Sequence, residues 1–197
     1  MNAAVDLNAL YENLEEMGVD VFSCPLSNMD ALAEPDGYLG INPKRITSQA
    51  QERELLIHEE GHFATNTFYQ LDSPYTVRRH QENVATRYGF KKYYSVEKLL
   101  NLMEDGCTEP WQLAEQLGVR QAYVEEILAY YQEQGVDFPR LLAQRQRQRE
   151  QQAVLEEDPL TDATRARLQA VGIYETDSFT ESTAQTLLDR IAQCLKK

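Results

Sequence analysis

The chain has 197 residues, 32 acidic against 19 Lys and Arg, for a formal net charge of −13. That length suits one domain, or one domain with a small appendage, and an apolar content of 42% supports a real core. The acidic balance argues against a protein whose main work is gripping phosphate backbones.

Taken in chain order, the pattern is mostly helical. The start, Met1-Asn2-Ala3-Ala4-Val5-Asp6, has neither the basic nor the apolar region of a signal peptide. No segment approaches the roughly 18 to 20 apolar residues of a membrane helix, so a cytoplasmic location without membrane contact is expected. Val5, Leu7, Leu10, Tyr11, Leu14 and Met17 recur at helical spacing, and Gly18 stops the run. Val19 to Cys24 alternates as a short strand ended by Pro25. The Asp36-Gly37 turn precedes a second strand, Tyr38 to Asn42, that Pro43 ends. Ser48 is placed to N-cap a long helix running through Phe63. After a loop with Asp72-Ser73-Pro74, helix returns from about Tyr75 to Tyr93, and Ser95-Val96-Glu97-Lys98 starts another.

Thr108-Glu109-Pro110-Trp111 opens the next helix, with Pro inside its first turn. Leu113, Ala114, Leu117, a break at Gly118, then Tyr123, Val124, Ile127 and Leu128 give a helix-turn-helix-like pattern. Its charges between residues 108 and 136 sum to −4, from Glu109, Glu115, Glu125, Glu126 and Glu133 against Arg120. Phosphate repels such a segment, so no direct DNA binding is expected. It reads as a helical subdomain or a protein-docking element, with Trp111 as a core anchor. Residues 1–138 carry the whole −13, and residues 139–197 sum to zero. Beyond Phe138-Pro139, a Gln/Arg run from Gln144 to Gln152 reads as an exposed helix or linker. Two short helices, Thr161 to Val171 and Thr180 to Leu195, complete a small unit with no assigned function. The expected organisation is a core over residues 1–107, the helical subdomain over 108–138, the charged linker or helix over 139–157 and the small helical unit over 158–197. Cys24, Cys107 and Cys194 share no metal-ligand spacing and suggest no disulfide scaffold. Reduced, mostly buried thiols are expected.

The chemistry concentrates in His58-Glu59-Glu60-Gly61-His62, an H-E-x-x-H motif. On a helix, residues i and i+4 share a face, so His58 and His62 can aim at one ion. Neutral imidazoles suit Zn²⁺ in a catalytic site with three protein ligands and one water. Glu59, one residue after the first ligand, suits a general base that takes a proton from that water and passes it to the leaving amine. Gly61 costs a helix about 1 kcal/mol relative to Ala; that cost makes sense beside a strand or a substrate rather than on an idle surface. For the third ligand, a metzincin would place His ten residues after His58, where this chain has Phe68. Glu82, twenty residues past His62 on the next helix, can approach as a carboxylate and complete a His₂Glu set. His80 is the rival ligand, or faces solvent or substrate.

These residues resemble the ImmA/IrrE family of metallo-endopeptidases. The likeness runs from the Tyr38–Asn42 strand through His58–His62, Phe68-Tyr69, Ser73-Pro74-Tyr75, Glu82-Asn83-Val84-Ala85 and Lys91-Lys92 to Glu109–Ala114, and covers roughly residues 20–136. H-E-x-G-H followed at this distance by E-x-x-A is its most specific part. The resemblance implies an α+β, mostly helical fold with a zincin-like core: a small sheet with an antiparallel edge strand over the H-E-x-x-H helix. It implies zinc held by His58, His62 and Glu82, with Glu59 as base. It implies as substrate a helix-turn-helix repressor, which members in mobile elements cleave or inactivate. Two positions depart from the family pattern. Thr86 stands four residues after Glu82, where Asp or Asn is usual, and can orient a ligand His only through a hydroxyl. Glu60 stands where a hydrophobe is common and adds negative charge near the site.

Two functions compete at this stage. One is a zinc endopeptidase with a regulatory protein substrate, whose acidic surface suits a basic partner. The other is a catalytically weak or inactive module of the same fold that controls a repressor by binding.

Overall fold

Asp6 starts α1 (Leu7–Glu16): its carboxylate accepts the Asn8 N–H at 2.9 Å, and Leu10 and Leu14 bury the inner face. Three four-residue strands follow, β1 (Asp20–Ser23), β2 (Ala31–Glu34) and β3 (Tyr38–Ile41). β3 lies between the other two, parallel to β1 and antiparallel to β2, so β2 forms one edge of the sheet. Leu39 and Ile41 of β3 are buried on the sheet's inner face. The computed structural model describes residues 3–70 and 72–194; Met1-Asn2 and Leu195, part of the second C-terminal helix read from the sequence, lie outside them.

Ser48 caps α2 (Gln49–Thr65), accepting from the Gln51 N–H at 3.2 Å. α3 (Tyr75–Tyr93) packs along α2, and α4 (Val96–Glu104) starts at a Ser95 cap that accepts from the Lys98 N–H. α5 (Pro110–Leu117) and α6 (Gln121–Glu133) form a hairpin tied to α2 by two adjacent residues. Buried Arg53 donates to the Gly118 carbonyl, and Glu54 accepts from the Arg120 backbone N–H at 2.6 Å and its Nε at 2.7 Å. The helical turn preceding His58 is thereby fastened from outside.

Two compact units divide between Phe138 and Pro139. α7 (Phe138–Glu157) starts at that division and is exposed along most of the Gln/Arg run, and the rest of the second unit follows it. α8 (Asp162–Ala170) and α9 (Glu181–Cys194) bury Leu168, Ala184 and Leu188 against Leu160, Ile173, Phe179 and Leu187. The molecule is thus α+β and mostly helical, with one small sheet. Among the described residues, no helix is long and apolar enough to cross a membrane.

Two expectations are corrected. Trp111 is 55% exposed rather than a core anchor. α5 buries Leu113, Ala114 and Leu117, and a residue two positions before Leu113 points to the opposite side of a helix. The cysteines are free, as expected, but not buried: Cys24 and Cys107 are half-buried and Cys194 is exposed. The antiparallel edge strand that the resemblance implies is present as β2, to which the sequence reading assigned no residues.

Candidate metal centre

His58 and His62 lie one turn apart on α2, and Glu82 reaches them from α3. What brings the helices close enough is Gly61. A Cβ there would sit 2.3 Å from the Ala85 carbonyl oxygen, inside any allowed contact, so α3 backbone occupies the place of a side chain. The close neighbour that explains this glycine is therefore a helix, not a strand or a substrate. Ala85 is three residues past Glu82, so the same approach sets the reach of the carboxylate.

Among the described residues, His58, His62 and Glu82 form one group whose ligand atoms all lie within 4.8 Å of one another. His58 Nε2 is 3.1 Å from His62 Nε2 and 3.0 Å from Glu82 Oε2, and His62 Nε2 is 3.5 Å from Glu82 Oε1. Ligand atoms about 2.0–2.2 Å from one tetrahedral ion lie about 3.3 Å apart; the two imidazole nitrogens are near that spacing, and Glu82 meets one with each of its two oxygens. His62 Nδ1 lies 2.6 Å from the Thr67 carbonyl oxygen. A carbonyl only accepts, so Nδ1 carries the proton, and in the neutral ring the Nε2 lone pair faces the group. The donor set of two imidazoles and a carboxylate fits a divalent cation of the zinc type.

His58 has a less decisive support. Its Nδ1 lies 3.3 Å from Thr86 Oγ1, and a hydroxyl can donate or accept, so it does not impose one tautomer. Tyr69, on the loop after α2, donates its hydroxyl to Glu82 Oε1 at 2.5 Å. When the Nε2 atoms carry protons, hydrogen bonds from His58, then His62, together with the one from Tyr69, hold the Glu82 carboxyl well below the usual carboxylate range, against the effect of its partial burial. Burial works against protonation of His62, but its bond with Glu82 and the charge of Glu59 outweigh that and raise its pKa overall. Burial and the Glu82 carboxylate push the Tyr69 hydroxyl up to about 12, so it remains a donor at neutral pH.

Glu59 is buried and shares a cleft of about 390 Å³ with the three ligand candidates, with Phe68 and Tyr69, and with Ala31, Leu32 and Ala33 of β2. Burial raises its pKa, opposed by the neighbouring His58 and His62, which is the direction a general base at neutral pH needs. A second recess of about 250 Å³, lined by Asp30, Arg45, Glu54 and Arg120, meets the cleft at His58.

The remaining sequence candidates fall outside the group. His80 is exposed on α3, two residues before Glu82, and two positions turn a helix side chain nearly to the opposite face. Glu60 adds no charge to the cleft. It is fully buried against α3, where Lys92 Nζ meets Oε1 at 2.5 Å and the Tyr93 hydroxyl donates to Oε2. Sequence reasoning assigned no role to Thr67, which orients His62. The signal was Asn66, whose left-handed backbone (φ 52°) closes α2 and turns Thr67 back toward the ring.

Comparison with known proteins adds no relative: no family model, curated protein or solved structure matches the chain.

Proposed function

We propose that the protein is a zinc-dependent endopeptidase of the kind found in the ImmA/IrrE family, with a zincin-like core and a helix-turn-helix repressor as its substrate. The observation that carries this reading is the convergence of His58, His62 and Glu82 in one cleft with a buried Glu59. His58, His62 and Glu82 hold the ion. Zinc, when bound, supplies Lewis-acid polarisation and a water acidic enough to attack at neutral pH. Glu59 accepts a proton and returns it to the leaving amine, its basicity raised by burial. Thr67 and Thr86 steady the two imidazoles, and Tyr69 steadies Glu82. The edge of β2 borders the cleft, and a sheet edge pairs readily with an extended peptide. A scissile segment added there runs past Glu59.

The competing reading, a module that controls a repressor by binding alone, is favoured by Thr86, since a hydroxyl orients His58 less firmly than a carboxylate. One experiment separates the two. Purified protein is analysed for metal and incubated with a panel of helix-turn-helix repressors, including any encoded by a neighbouring gene, and fragments are read by mass spectrometry. The endopeptidase reading expects about one zinc per chain, lost in H58A/H62A, and cleavage that E59Q abolishes while keeping the metal. A repressor that stays intact while its target genes switch on would select the binding module.

A further inference from the structure

We propose that the outer face of the sheet is a docking surface for a short basic amphipathic helix of a partner protein. This surface has Leu32 of the edge strand in common with the metal cleft and none of the candidate ligands, and the proposal does not depend on protease activity. The strand register sets Phe22, Gly40 and Leu32 in one row and Asp20, Tyr38 and Glu34 in the next. Alternation sends Leu39 and Ile41 inward, so these rows face outward. Phe22 and Tyr38 are 48% exposed and Leu32 38%, a concentration of large apolar side chains that four-residue strands do not need for their own packing.

Gly40 shapes the centre. A Cβ on it would come within 3.2 Å of the Cys24 Cβ and 3.6 Å of the Phe22 ring. Its absence helps leave room for a hollow of about 150 Å³ between Phe22, Cys24, Leu32 and Tyr38, a size that accommodates a benzene-sized apolar group. A single anchoring side chain fits there, in the manner of an interface hot spot.

Dimensions and charge select the occupant. Three strands about 4.8 Å apart make a face about 10 Å wide, and four residues at about 3.3 Å make it about 13 Å long. That is the width of one helix and the length of two to three turns. A helix against the open face also completes the layering that a one-sided sheet lacks. Residues 1–43 contain eight carboxylates (Asp6, Glu12, Glu15, Glu16, Asp20, Asp30, Glu34 and Asp36) and no Lys, Arg or His. Asp30 is engaged by Arg45, but Asp20 and Glu34 flank Tyr38 on the docking face itself. Like charge disfavours a second copy of this chain, nucleic acid or an anionic lipid surface, and favours apolar anchors bordered by Lys and Arg.

The test uses the full chain and a fluorescent 15-residue amphipathic Leu/Lys helix as the probe, with a Leu/Glu helix as its control. The Lys peptide should bind, the Glu peptide should not, and F22S/Y38S should weaken binding at least tenfold. Removing still more exposed aromatic groups elsewhere, in W111S/Y174S, should leave binding unchanged. The wild-type chain gives an independent readout: bound peptide should slow maleimide alkylation of Cys24 at least fivefold and leave Cys107 unaffected. Binding that survives F22S/Y38S, or Cys24 alkylation unchanged at saturating peptide, overturns the proposal. So does concentration-dependent dimerisation that F22S abolishes, because the face would then belong to a second copy.

Discussion

At the scale of single residues, the candidate site is decided by what stands behind each ligand. His62 is backed by a carbonyl that fixes its tautomer, whereas His58 is backed by the ambivalent Thr86 hydroxyl. T86D should therefore tighten zinc binding about tenfold, because a carboxylate behind Nδ1 forces the proton there and raises the basicity of Nε2. Competition with a chromogenic chelator measures it, and unchanged affinity would mean that Thr86 does not act on His58. Tyr69 poses the converse question. Y69F deletes one of the hydrogen bonds that hold Glu82 ionised and in place. Zinc affinity should fall about tenfold, with the fold intact because Tyr69 lies on an exposed loop.

At the scale of elements, the α2–α3 contact builds the site, and Gly61 is its pivot. G61A has to move the Ala85 carbonyl aside, since a backbone atom cannot rotate away as a side chain does. Overpacking of this kind costs about 1–3 kcal/mol, and it carries Glu82 away from the two imidazoles. The expected outcome is a lower melting temperature together with weakened metal binding; a variant with wild-type values for both would refute the account. Much of this level could be read in advance. Ser48 and Ser95 announced helix starts by their hydroxyls, and both cap as expected. The His58–His62 spacing located the site because helical periodicity is local. The misses have a common physical origin. Ala31-Leu32-Ala33-Glu34 has neither the β-branched nor the aromatic residues that mark a strand, and it is a strand only because β3 offers it a partner. Trp111 looked like an anchor by residue type, but only tertiary packing decides which face of a short helix turns inward. Gly61 was recognised as costly, yet the helix that uses the space comes from residues more than twenty positions away.

At the scale of the whole molecule, the two units differ in charge. In the second unit, Asp158 accepts from the Ser182 backbone N–H at 2.8 Å and from its hydroxyl, and Glu181 accepts from the Thr164 hydroxyl at 2.5 Å and the Thr161 N–H at 2.9 Å. These bonds lower both carboxyl pKa values below their ordinary ranges of about 3.8 and 4.5. A lowered folded-state pKa means that the unfolded chain binds more protons in that window. The contribution is complete above about pH 4.5 and is lost as pH falls through the folded-state values. Calorimetry of the full chain between pH 6 and 2.5 should show the transition of the second unit falling with acid, and falling less in D158N/E181Q. The first unit carries the entire −13, which governs its encounters. Residues 1–138 should not shift duplex DNA at physiological salt, because every phosphate contact would have to overcome net repulsion. A sub-micromolar, salt-sensitive shift by that segment would refute the claim. The same charge should act with the opposite sign on a basic partner. Association of a Lys-rich helix with the sheet face should be fastest at low salt and slow several-fold as sodium chloride rises toward 0.5 M, as the Debye length shrinks and screening removes the steering. Dissociation, set by the apolar contacts at Phe22, Leu32 and Tyr38, should change little. Stopped-flow measurement of both rates distinguishes these effects, and an association rate indifferent to salt would show that the carboxylates of the first 43 residues do not guide the partner.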